Sequence, residues 1–131
     1  MIKTRQVSKY YYKNYLERAE DCYETMQERY QKGKYISAII NAVHCCISSA
    51  DALTVFFKEQ RHSGENHLDT INLLKTINIL DLNNKIEIFS QVIKLKNDSE
   101  YGERKISKND VDLAIRNTEK FFKFVKNILK E

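Results

Sequence analysis

The sequence predicts an all-α protein, an up-and-down antiparallel bundle of four to five helices, and three observations carry that expectation. The 131 residues hold no proline and only three glycines, Gly33, Gly64 and Gly102, which removes most of the punctuation that strands and hairpins need. Apolar residues recur at steps of three and four over long stretches, the period of an amphipathic helix. The breaks between those stretches are short, which makes consecutive helices antiparallel neighbours.

The first helix is expected from about Ser8 to Lys32, stopping at Gly33, a residue suited to the left-handed conformation beyond a helix end. Tyr12, Tyr15, Leu16, Ala19, Cys22, Tyr23, Met26 and Tyr30 form its inward stripe. A second helix from Lys34 to about Lys58 is apolar on more than one face, the mark of a central element. The polar run from Arg61 to His67 interrupts the pattern, and a shorter third helix follows through Leu68, Ile71, Leu74 and Ile77. A fourth segment carries Ile86, Phe89, Val92, Ile93 and Leu95 toward Tyr101, where Gly102 lets the chain turn. The last helix opens at Ser107-Lys108-Asn109-Asp110, a capping box with aspartate in place of glutamate, and presents Val111, Ala114, Ile115, Thr118, Phe121, Phe122, Val125, Ile128 and Leu129 on one side.

At 15.5 kDa the chain reads as one domain over residues 1–131, large enough for a core without disulfides or metal. A hydrophobic share of 42% beside 31% charged residues is that of a soluble globular domain, and no run approaches the 20 or so apolar residues of a membrane span. The start, Met1-Ile2-Lys3-Thr4-Arg5-Gln6, lacks the apolar core of a signal peptide. A cytoplasmic protein with no membrane association is expected, and Cys22, Cys45 and Cys46 suit it as reduced, mostly buried thiols. A net charge of +4 permits RNA binding without arguing for it.

The most informative stretch is Lys96-Asn97-Asp98-Ser99-Glu100-Tyr101-Gly102, which sets a cation and a proton-carrying ring about one helical turn apart where a helix ends. It resembles the Arg-x4-6-His motif of the HEPN domain family, with Lys96 in the arginine position and Tyr101 in the histidine position. The resemblance extends over nearly the whole chain. It includes the Ser63-Gly64-Glu65-Asn66-His67 turn, similar to the entry of the family's third helix, but the C-terminal third carries most of it, through this motif, Ile106-Ser107 and the aromatic helix around Phe121 and Phe122. In the ribonucleases of that family the arginine holds an RNA phosphate and the histidine helps the ribose 2′-hydroxyl attack it.

Lys96 keeps the positive charge but loses the planar fork of arginine. A phenol titrates near 10, far from a general base working at neutral pH, so Tyr101 is expected to orient a ligand. Lys96 and Tyr101 are thus the candidate catalytic pair; the alternative leaves Lys96 solvated and Tyr101 packed beside Gly102. Asn97 matches a polar residue that shapes the family's site, Asp98 is a candidate partner for Lys96, and Glu100 reads as a charged helix end. His67 is a substitute base or ligand contact if the fold brings it near.

Asn41, His44, Ser48 and Asp51 recur at steps of three, four and three on the second helix. They suit a buried network, a dimer seam or the wall of a ligand cleft, with His44 read first as a core histidine. Neither His-Glu-x-x-His nor paired Cys-x-x-Cys occurs, so no metal or other cofactor is expected. Lys120, Lys123, Lys126 and Lys130, with Lys3, Arg5, Lys9 and Lys13 adding charge near the N-terminus, read as a solvated face, with a phosphate-tracking stripe as the alternative. Tyr10, Tyr11 and Tyr12 read as packing residues, with base stacking as the alternative.

The leading expectation is a HEPN-like protein, non-catalytic or weakly active, that binds a nucleotide, RNA or a protein partner. The resemblance implies a homodimer whose motif residues meet across a cleft, and a minimal nucleotidyltransferase partner in a toxin-antitoxin-type module. The alternatives are a metal-independent HEPN ribonuclease toxin and a purely structural helical adaptor.

Overall fold

The computed structural model describes residues 3–64, 67–102 and 104–130; Glu65 and Asn66, within the turn singled out above, lie outside them. A strand β1 (Thr4–Gln6) and a 3-10 turn (Lys9–Tyr11) lead into helix α1 (Tyr12–Gln31). Helix α2 (Tyr35–Lys58), strand β2 (Gln60–His62), and helices α3 (Leu68–Leu74), α4 (Leu82–Ile93), α5 (Lys96–Tyr101) and α6 (Lys108–Leu129) follow. The all-α bundle is the fold, with a small ribbon added to it.

Helix α2 is the hub, packed against α1 along its length and against α6 on another side. By length and composition alone it is apolar enough to cross a membrane, but two thirds of the window concerned, 67%, is buried by the rest of the fold, as befits a core helix. Phe89, Phe121, Met26, Ile39 and Leu53 are among the largest fully buried side chains, each contributing about 1.5–3 kcal/mol through removal from water. Gly33 has φ +72° and closes α1 as its sequence position implies. At the start of α6 the Ser107 hydroxyl accepts from Asp110 N–H while the Asp110 carboxylate accepts from Ser107 N–H, so both halves of the capping box form.

Two departures from the sequence reading shape the site. An all-helical chain leaves no place for strands, yet Thr4, Arg5 and Gln6 pair antiparallel with His62, Arg61 and Gln60. The cause is the end of α2: Glu59 takes a left-handed φ of 53°, the chain reverses, and the Glu59 carbonyl accepts from Val7 N–H at 2.9 Å. The second departure is at the motif. The fourth helix ends at Ile93, and Lys96 begins a new short helix, α5, instead of closing a long one.

Candidate functional site

A cleft of about 810 Å³ opens between the ribbon, the start of α1, the middle of α2 and α5. One wall is a single face of the 3-10 turn and α1, with Tyr11, Asn14, Tyr15 and Arg18 at steps of three, one and three. The second is α2, which contributes His44, Ile47, Ser48 and Asp51. The ribbon supplies Arg5, Arg61 and His62, and Lys96, Glu100 and His67 close the remaining side. The volume is within the range of small-ligand sites.

Charge in the cleft is uneven: Arg5, Arg18, Arg61 and Lys96 stand against Asp51 and Glu100. Arg5 and Arg61 are direct partners across the antiparallel ribbon, and like charges placed so repel. Asp51 beneath them offsets part of that repulsion, accepting a hydrogen bond from Arg61 Nε at 2.8 Å. Lys96 Nζ pairs with Glu100 Oε2 at 3.2 Å, and Glu100 Oε1 lies 4.0 Å from His44 Nε2. Among the described residues Arg5 and Arg18 form no ion pair.

The floor is drier. Asp51 is 1% exposed, and burial holds its carboxyl above the ordinary value of 3.8 against the opposing pull of Arg61 and His62. His62 Nδ1 lies 2.9 Å from the Gly64 carbonyl; a carbonyl only accepts, so Nδ1 carries the proton. The His67 ring meets His62 edge-on at 5.4 Å between centroids. Burial first, then the neighbouring His62 and Lys96, push the His67 imidazole down to about 4, with Glu100 opposing. At neutral pH His67 is therefore an uncharged ring next to a cation.

The residues singled out in the sequence separate into two groups. His44, Ser48, Asp51, His67 and Lys96 all line the cleft. Tyr101 does not: it is 69% exposed and absent from the lining, because α5 turns Lys96 and Glu100, one turn apart, onto the cleft side and carries the next residue past it. The pairing of Lys96 with Tyr101 over one spot is thereby corrected. Asn97 is exposed away from the cleft, and Asp98 pairs with Arg104 at 2.9 Å in place of Lys96. Asn41 turns back to donate to the Ser37 carbonyl at 2.9 Å. His44, read as a core histidine, has a side chain 54% exposed, while Cys45 beside it is buried and its thiol raised well above 9.0 by burial.

Arg18, Arg61, His62 and Tyr15 were not legible as site residues, and Arg5 was legible only as one of several N-terminal charges. Arg61 and His62 belonged to an interruption, and only the ribbon brings them to Arg5. The step of three from Tyr15 to Arg18 was a usable signal on α1. The lysine row of α6 does not contribute: Lys123 pairs with Glu119 and Lys126 with Glu20, and no member lines the cleft.

No group of three or more potential metal ligands occurs among the described residues. A family model described as HEPN domain matches residues 12–128. No curated protein matches the chain.

Proposed function

Because the chain belongs to the HEPN domain family, we propose that its cleft binds the phosphodiester backbone of RNA, with little or no cleavage. The observation that carries this reading is the pair Arg5 and Arg61, held side by side across the ribbon and joined in one cleft by Arg18 and Lys96. Concentrating like charge costs stability, and an anionic ligand repays it. Arginine also offers the planar donor fork that lysine lacks, so Arg5 and Arg18 supply the bidentate phosphate contacts that Lys96 cannot make. Lys96 adds a point charge, and Ser48 and Asn14 add neutral donors on facing walls.

The weak activity follows from the proton chemistry. The His67 imidazole at the cleft sits at about 4, and so weak a base takes a proton from a 2′-hydroxyl poorly. The second reading, a metal-independent ribonuclease, is favoured by the placement of His67 and Lys96 in one cleft. There the 2′-oxygen would attack the adjacent phosphorus as the P–O5′ bond breaks to leave a 2′,3′-cyclic phosphate, Lys96 would hold the phosphoryl oxygens, His67 would receive the 2′-hydroxyl proton and water would protonate the departing 5′-oxygen. The homodimer and the nucleotidyltransferase partner remain proposals drawn from the family relation, and a light-scattering mass tests the first.

The deciding experiment incubates the protein with end-labelled single-stranded RNA and tRNA in chelator and follows retention and cleavage together. Retention without cleavage, weakened in Lys96→Ala and in Arg18→Ala, is expected. Cleavage that disappears in both Lys96→Ala and His67→Ala replaces the binding reading with the ribonuclease. Neither retention nor cleavage returns the protein to the adaptor class.

A further inference from the structure

The wall built by the residues before position 12 lies outside the family match, yet it supplies Arg5 and Tyr11 to the cleft. Tyr11 is 54% exposed at the rim. Two nearby rings are committed elsewhere: Tyr12 packs edge-on against Phe56 at 4.9 Å, and the Tyr15 ring carries the Arg61 guanidinium at 5.4 Å. Among the described residues no ring or cation is stacked on Tyr11, so an aromatic face is open beside the cationic cleft.

The backbone that carries the ring is held in position. Tyr11 N–H donates to the Ser8 carbonyl at 3.0 Å, which fixes the 3-10 turn. Lys9 N–H donates to Glu59 Oε2 at 3.1 Å, and Lys9 Nζ sits 4.2 Å over the Phe56 ring. Together these pin the turn to the end of α2. A rigid aromatic side chain loses little entropy on contact, which favours it as a stacking platform.

We propose that Tyr11 stacks an unpaired nucleobase of the RNA whose phosphate lies between Arg5 and Arg18, so that the cleft takes single strands in preference to duplex. The proposal rests on the phosphate-binding reading above and adds to it a base subsite on the segment that precedes the family match. Tyr11 and Arg18 lie seven residues apart on one face, two helical turns or about 10 Å, a span that one nucleotide bridges from base to phosphate. A base in a duplex is stacked and paired and cannot present its face to a side chain.

Fluorescence anisotropy with a labelled eight-nucleotide oligoadenylate, and with the same strand annealed to oligouridylate, tests it on the full chain. The single strand is expected to bind more tightly than the duplex. Tyr11→Phe should retain that difference, and Tyr11→Ala should lose about ten-fold on the single strand alone, the loss of one stacked base. Arg18→Ala should weaken both ligands. Equal affinity of the parent and Tyr11→Ala for the single strand, with Arg18→Ala still weakened, overturns the base subsite and leaves the phosphate site standing. No binding of either ligand by the parent overturns both. Matching thermal melts for the parent and the Tyr11 variants show that a loss is local.

Discussion

Asp51 Oδ1 and His62 Nε2 face each other at 3.8 Å under the cleft, and neither buried atom has a hydrogen-bond partner among the described residues. With the His62 proton on Nδ1, directed to Gly64, a neutral ring turns an acceptor toward an acceptor. A proton between them, or a ligand donor, removes the conflict.

Asn at position 51 resolves it without a proton, since its amide oxygen accepts from Arg61 and its nitrogen donates to His62. Asp51→Asn is therefore expected to be no less stable than the parent at pH 7. Asp51→Ala should lose on the order of 2–3 kcal/mol by leaving the half-buried Arg61 guanidinium without its partner. The folded carboxyl titrates above its ordinary value of 3.8, so the folded state binds more protons in that window and stability falls as pH rises through it. Urea denaturation across the acid and neutral range should show that decline in the parent and its absence in Asp51→Asn.

His67 acts in the opposite direction. Its imidazole is lowered from 6.5 to about 4, so between those values the unfolded chain binds more protons and stability drops as the solution is acidified. His67→Gln should flatten the fall between about pH 6.5 and 4 while leaving the Asp51 contribution intact. The His67 ring protons should titrate in NMR with a midpoint near 4; a midpoint near 6.5 would remove the argument for a weak base.

Gly33 sits at φ +72° with nothing within 4 Å of where a Cβ would stand. Gly33→Ala should therefore cost only the left-handed backbone penalty, about 1 kcal/mol, read as a lower urea midpoint with unchanged slope. A larger loss would mean that the turn between α1 and α2 is itself packed.

The long helices were legible because each carries many periodic residues: the second was bounded to within a residue by Lys34 and Lys58, and the Ser107 cap by chemistry that needs no tertiary contact. The cleft was half legible. Three of the four polar residues on α2 line it, because a polar series on a core helix has few other uses. The ribbon was not legible, since three residues are too few for an alternating pattern and both strands lack apolar side chains apart from the flanking Val7. Arg5 and Arg61 are 56 residues apart in sequence and meet only through it. The place of Tyr101 was lost to a smaller effect, one residue of helical rotation at the start of α5.

Glu100 then becomes the residue that restrains Lys96. Its carboxylate holds Nζ at 3.2 Å, and both side chains remain partly open, 28% and 25% exposed, so the pair is worth little to the fold. Glu100→Gln removes a negative charge from the cleft and releases a cation to a phosphate. It should tighten RNA binding by about three- to five-fold at low salt, the scale of one exposed ion pair. Lys96→Ala should weaken it and lower the salt slope by about one. Tyr101→Ala, outside the cleft, should leave both unchanged. Anisotropy titrations at several salt concentrations separate these cases: tightening in Glu100→Gln that vanishes when combined with Lys96→Ala shows that the carboxylate acts through the lysine, and tightening that survives in the double variant assigns the effect to the general field of the cleft.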